Sequence, residues 1–359
     1  MPDTLLQAPR APGRTLLPRP SRDARLDLVR GWLQLSIFAS HAQGSFAGAW
    51  LLHGAWGLSD SSEQFVLLSG LALGSVFTRK QERDGWASAA GDMLRRTGRL
   101  WRTYMLALAG FGAMLLLVNL ALPGEADAYG WGFLIRDPLR AALAAAALAH
   151  QPVFLDALPV FVWSMLALPL FAWAAARVGA WALLPSALLW AAAQGTWQAG
   201  LLSAPDLSGD TPPAFDPFAW QALFVLGAWL GRRKLLKGQA VPARPWMLPM
   251  AALVVAAGLA VRLSQHGFLP LHLPHALALA YVMARLTPTS RPWMRAVPLR
   301  WLGAVGRHSL QVFCAGLFLS YGAALALRRL PAWAPWLDPA LILCGAALLT
   351  AYARTLDRA

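Results

Sequence analysis

Charge is what this sequence has least of. Only 13% of its 359 residues are Asp, Glu, Lys or Arg, whereas 57% are hydrophobic. A soluble domain carries about 25% charged residues. The deficit excludes an ordinary soluble protein and predicts an all-α polytopic membrane protein. No polar stretch is long enough to fold as a separate soluble domain. Cysteine is scarce too. The two present, Cys314 and Cys344, lie inside apolar runs without metal-type spacing and read as small core residues. There is no Walker loop, dinucleotide-binding fingerprint, HExxH pair or nucleophile elbow, which argues against nucleotide hydrolysis. No internal repeat is detectable. Residues 1–21 are rich in Pro and Arg and lack the apolar core of a signal peptide. They read as a disordered tail ahead of a single membrane-embedded domain, 22–359.

What is present is positive charge in a particular place. The net charge of +14 would suggest nucleic acid in a soluble protein, but here the cations fall in short links between apolar runs, where they report topology. A membrane-crossing helix needs about 20 apolar residues. Ten candidate runs appear: 28–45, 61–78, 103–122, 158–176, 180–197, 218–231, 246–264, 270–286, 309–327 and 337–353, of which 218–231 is short and ill-bounded. An eleventh, 138–150, has about 13 residues and is too short to cross comfortably. With the N-terminus cytoplasmic and ten alternating spans, 26 of the 31 Lys and Arg lie in cytoplasmic segments. The exceptions are Arg136, Arg140, Arg262, Arg328 and Arg329. A crossing at 138–150 would invert every later segment and carry RRKLLK (232–237) outside. That run therefore reads as an interfacial or re-entrant helix on the outer face, with eleven spans as the alternative. Both termini are then cytoplasmic.

This topology gathers polar residues near the outer face. His41 closes the first run, and Asp60 and Glu63 open the second. Ionisable residues at membrane depth are costly and suggest function. A neutral imidazole can take a proton from an alcohol attacking a carbonyl, and a carboxylate can orient it. The blander readings are an interfacial histidine bonded to a backbone carbonyl and, for Asp60, a helix cap. Asp156, Asp216 with Trp220 and Gln221, and His272 with His275 lie at the same level. They could hold a polar acceptor or merely cap helices within an aromatic belt. On the cytoplasmic face RRTGRLWRTY places Arg95, Arg96, Arg99 and Arg102 together. The i, i+3 spacing puts Arg99 and Arg102 on one helix face, where forked guanidiniums could hold phosphates or anionic lipid head groups. Arg307 and His308 read as a positive anchor ahead of a helix starting at Ser309.

Several of these stretches together resemble the OpgC family, within the type 3 acyltransferase superfamily of integral-membrane proteins. They are RDARLDLVRGW followed by His41, LSDSSEQFVLLSGLALG (58–74), the arginine-rich stretch 95–104, QPVFLDALPVFVW (151–163), FDPFAWQALFVLGAWLG (215–231), HALALAY (275–281) and GRHSLQVF (306–313). The resemblance runs over nearly the whole chain from Arg22. It implies ten spans and transfer of a succinyl group from cytoplasmic acyl-CoA to hydroxyls of a periplasmic glucan in the bacterial inner membrane. It implies His41 as catalytic base with Glu63 or Asp60 orienting it. Arg99 and Arg102, with Arg95, would serve the donor, and Asp156, Asp216, Trp220, Gln221 and His275 the acceptor. No bound cofactor or metal and no nucleic acid partner is expected; acyl-CoA, succinyl-CoA in this reading, is a co-substrate. The alternative from another class is a transporter or flippase for an anionic or saccharide solute. It would suit two related halves, which the sequence lacks.

Overall fold

Lipid offers backbone groups no hydrogen-bond partners, so apolar runs satisfy their own N–H and C=O groups as helices. The computed structural model describes residues 23–51, 57–193, 215–263, 271–287 and 296–358. The expected tail 1–21 and most of the acidic loop 203–216 lie outside the described residues. Among the described residues every regular element is a helix.

Helix α1 (Ala24–His41) is followed by the short α2 (Phe46–Leu51), then by α3 (Ser61–Asp84) and α4 (Trp86–Ala121). Three short helices come next: α5 (Glu125–Ala128), α6 (Gly132–Arg136) and α7 (Pro138–Ala146). Then follow α8 (Ala157–Val178), a 3₁₀ turn, α9 (Leu184–Ala192), α10 (Pro217–Lys237), α11 (Met247–Leu263), α12 (His272–Leu286), α13 (Val297–Arg307), α14 (Ser309–Arg329) and α15 (Ala334–Leu356). Among the described residues four helical stretches are long and apolar enough to cross a membrane: Trp86–Ala121, Ala157–Ala192, Ser309–Arg329 and Pro331–Leu356. The chain is a membrane protein.

Each expected run contains a helix, but several boundaries differ, and charge is the reason. Arg and Lys are good helix formers, so basic stretches expected as links prolong the helices beside them. RRKLLK is the last turn and a half of α10. RRTGRLWRTY lies inside α4, whose 36 residues rise about 54 Å against about 30 Å of hydrocarbon. Arg25 and Arg30, counted above as cytoplasmic, belong to α1. The 138–150 run becomes α7, nine residues long. At about 14 Å it is too short to cross. The Trp101 indole donates to the Ala146 carbonyl at 3.0 Å, and the Trp131 indole to Val153 at 3.1 Å. The first bond ties the connection between α4 and α8 to α4, and the second closes that connection on itself.

Two faces are recognisable. On one, Asp23 caps α1 and pairs with Lys234 at the end of α10, at 2.8 Å. On the same face Asp357 accepts hydrogen bonds from Arg307 at 2.9 Å and pairs with His308 at 3.0 Å. The Arg307 hydrogen bond holds the Asp357 carboxyl down at about 2. The opposite face gathers the end of α1 with the starts of α3, α8, α10, α12 and α15.

The scaffold for that opposite face is the α3–α10 pair. Gly70 and Gly74 on α3 meet Gly227 and Gly231 on α10, a small-residue-every-fourth pattern on both partners. A Cβ at Gly70 would lie 2.1 Å from the Phe224 carbonyl oxygen, and one at Gly227 2.1 Å from that of Leu67. The Ser75 hydroxyl adds a bond to the Gly231 carbonyl at 3.0 Å. The contacts advance together along both helices, so the two run parallel. Because the obstacle is backbone, Gly227→Leu is expected to destabilise by about 3 kcal/mol or more, at the upper end of overpacking. Gly322, with nothing within 4 Å of a Cβ, is the control. Melting of the purified protein in detergent should fall for Gly227→Leu and hold for Gly322→Ala.

Candidate functional site

His41 is the last residue of α1, and the helix end explains its state. The last carbonyls of a helix lack partners within it. Here side chains supply them. His41 Nδ1 lies 2.7 Å from the Ile37 oxygen, the Ser40 hydroxyl donates to the same oxygen at 2.8 Å, and Ser320 on α14 donates to Phe38 O at 2.8 Å. A carbonyl only accepts, so Nδ1 carries the hydrogen and Nε2 keeps its lone pair. The imidazole is half-buried. Its ring sits 5.5 Å from that of Phe154, which in turn meets Phe111 of α4 at 5.6 Å. Phe111 is ten residues short of Ala121, about 15 Å along the axis. Through Phe154, His41 is thus linked to α4 well short of that helix's C-terminal end.

The carboxylates are placed differently from the expectation that one of them orients His41. Asp60 and Glu63 form a reciprocal capping box at the start of α3. Asp60 Oδ1 accepts from Glu63 N at 2.9 Å, and Glu63 Oε2 from Asp60 N at 2.8 Å. The other oxygen of Glu63 meets His272 Nδ1 at 3.2 Å. Glu63 is thus spent on its own helix cap and on α12, and the hydrogen-bonded orienter of His41 is the Ile37 carbonyl. Asp60 is exposed. Next to this pair, the buried His275 accepts from Ser59 N at 3.1 Å and meets its hydroxyl at 2.7 Å. Gln64 donates to the Ala276 carbonyl at 2.9 Å. The SDSSEQ and HLPHA stretches, read separately in the sequence, are one interlocked group. Gly258 on α11 makes room for the His275 ring.

Glu63 should therefore be a stability residue as much as a charge. Glu63→Ala leaves the Asp60 N–H and His272 without their acceptor, at a cost of about 1–3 kcal/mol. Glu63→Gln can still close the capping box. Melting in detergent is expected to drop for the alanine variant and to recover most of the loss for glutamine.

The other expected site residues divide. Gln221 is fully engaged in tying α10 to α9: its oxygen accepts from the Ser186 hydroxyl at 2.6 Å and its amide donates to Ser186 O at 2.9 Å. Asp216 caps α10 through Phe218 N at 2.9 Å, and Asp156 caps α8 through Ala157 N at 3.1 Å. Trp220 packs on Phe215, ring centres 4.5 Å apart, and its other side joins the core with Val66, Leu67 and Ala276. On α4, Arg95 pairs with Asp92 at 3.5 Å and Arg96 with the same carboxylate at 2.9 Å. Arg99 and Arg102 are exposed, and among the described residues no carboxylate pairs with them. Among the described residues no three His, Cys, Asp or Glu side chains gather as a metal site needs.

Two residues tied to this part of α1, one on its His41 face and one against the imidazole, escaped the reading of the sequence. Arg30 stands eleven residues earlier, three helical turns, and so shares its face of α1. It donates to the Leu68 carbonyl of α3 at 3.0 Å. The spacing was available as a signal, but Arg30 counted only as a topology charge. Phe154 has φ +74°, a left-handed conformation that strains a bulky residue, and nothing local in PVFLD announces that its ring reaches His41.

A family model described as OpgC protein matches residues 22–268 and 264–359. No curated protein and no solved structure matches the chain.

Proposed function

The chain belongs to the OpgC family, and on that premise we propose that it is an O-acyltransferase carrying a succinyl group from cytoplasmic acyl-CoA to a hydroxyl of a periplasmic glucan or related saccharide. The family suggests a membrane acyltransferase. The observation that carries the chemistry is His41, whose Nδ1–H is committed to the Ile37 carbonyl at 2.7 Å. That leaves Nε2 as the basic nitrogen without any carboxylate in contact.

The reaction balances with this chain's groups. His41 Nε2 takes the proton of the acceptor hydroxyl as its oxygen bonds to the thioester carbonyl carbon. The carbon–sulfur bond breaks, and the coenzyme A thiolate takes the proton from the imidazolium. The products are an ester and free coenzyme A. The Ile37 carbonyl keeps the ring in the right tautomer throughout, and the Asp60 charge favours the transient imidazolium. Arg99 and Arg102 hold the donor's phosphates on the cytoplasmic overhang of α4, with Arg95 at its edge. Asp156 and Trp220 face the acceptor. Asp216, Gln221 and His275 hold the helix starts that shape that side. Ten spans with both termini cytoplasmic in the inner membrane complete the reading.

The test is transfer of label from radiolabelled succinyl-CoA to saponifiable ester, with purified protein and a periplasmic glucan extract. Ester formed without any ion gradient supports the enzyme. Folded protein that releases no coenzyme A and forms no ester with succinyl-, acetyl- or malonyl-CoA overturns it.

A further inference from the structure

A buried carboxylate in the last helix has no place in the chemistry above. Asp338 lies just past the first turn of α15 and is only 4% exposed. A carboxylate buried at membrane depth is expensive unless its oxygens are satisfied. Both oxygens reach nearly three hundred residues back in the chain. Oδ1 accepts from the Ser45 hydroxyl, and Oδ2 from Ala47 N at 2.7 Å. The Ser45 hydroxyl in turn accepts from Gly48 N at 2.7 Å. Asp338 therefore fixes the turn that follows His41 and seats α2 against the end of α1. Gly48 is held so close that a Cβ there would lie 2.4 Å from the Ala39 oxygen.

The same helix grips α1 from the other side of that turn. A Cβ at Gly345 would meet the Phe38 ring at 2.2 Å, so Phe38 is seated in the α15 backbone. Ser320 donates to the Phe38 carbonyl. The last turn of α1 is thus clamped just before His41 by Phe38 and just after it by Ser45. Only the Asp338 side of the clamp is ionic.

The geometry points to Asp338 as a positioning residue for His41: through Ser45 and Ala47 it fixes where α1 ends and thereby where the imidazole stands. Its catalytic part rests on the acyl-transfer reading; its geometric part does not. Asp338→Ala removes both acceptors. Asn keeps the shape and can still accept from Ala47 N while donating to the Ser45 hydroxyl. Ser45→Ala removes one bond and leaves the carboxylate. Because small misplacements of a reacting group cost up to about a hundredfold, Asp338→Ala is expected to lower kcat by about tenfold to a hundredfold. Donor KM should stay within about twofold, and Asn should recover most of the loss.

The deciding measurement needs no activity. It is the rate at which diethylpyrocarbonate modifies His41, read by peptide mass in folded protein, for wild type, Ser45→Ala, Asp338→Asn and Asp338→Ala. A change of about fivefold or more in Asp338→Ala, smaller in Ser45→Ala and largely restored in Asn, is expected. If Asp338→Ala does not fold, the Ser45→Ala and Asn rates decide. Wild-type His41 reactivity in every variant that folds, with only the melting temperature lowered, overturns the inference and leaves Asp338 a cap for α2. A wild-type protein without acyl transfer but with the expected pattern of His41 reactivity would remove the reaction and keep the clamp.

Discussion

His41→Asn is expected to lose acyl transfer by about 10³-fold, within the 10²–10⁴ that general-base catalysis supplies, while melting close to wild type. The asparagine amide nitrogen falls where Nδ1 of the imidazole stands and can donate to the Ile37 carbonyl as Nδ1 does now, at 2.7 Å. The helix end keeps its bond. What goes is Nε2, the lone pair proposed to take the acceptor's proton. His41→Ala should be as inactive and also less stable, because it gives up the Ile37 bond and the contact with Phe154. The pair separates chemistry from folding. The measurement is kcat/KM from coenzyme A release, beside melting in the same detergent. Wild-type rates in His41→Asn would remove the imidazole from the reaction, and equal destabilisation in both variants would mean that the Ile37 bond matters little.

The second large effect is expected at the arginine-rich stretch of α4. Arg99→Ala with Arg102→Ala should raise the KM for acyl-CoA by about tenfold to a hundredfold and leave kcat nearly unchanged. Each charge-assisted bond to a phosphate contributes about 1.5–3 kcal/mol before solvent screening, and both guanidiniums are exposed, which puts the effect toward the lower end. Arg95→Ala is the comparison: its guanidinium already leans on Asp92 at 3.5 Å, so it should change KM by less than about threefold. An acyl-pantetheine donor, which lacks the nucleotide phosphates, should be used equally by wild type and the double variant. If acyl-CoA is used equally too, these arginines serve the lipid surface instead.

Much of the fold was legible because a membrane helix announces itself by composition. The runs beginning near 61, 158, 246 and 309 match their helices to within about two residues at the start. Where prediction stopped short, it treated charge as a terminator. Arg95 to Arg102 and the RRKLLK stretch sit in helices because arginine and lysine continue a helix as readily as leucine does. In the site, His41 was visible as a costly residue in an apolar setting, and Asp60 as a cap. The partner of Glu63 was not, since proximity in the order of spans does not say which side chains meet. His272 is 209 residues from Glu63, and Asp338 is 293 from Ser45. Neither separation leaves a trace in local periodicity.

The parallel contact of α3 with α10 sets an order of assembly. Ser75 and Gly231 meet across 156 residues of chain, so during synthesis α3 enters the bilayer long before its partner exists. Until then the glycine face, where backbone approaches backbone, has only lipid against it. α4, α8 and α9 must be inserted first, and α10 then slots into the groove. The outer ends of α3 and α10 reach their final spacing only at that step. A chain interrupted before Pro217 would therefore hold His41, Asp60 and Glu63 without the helix that locks their side of the bundle. The candidate site is completed late, by helices synthesised well after the one that carries His41.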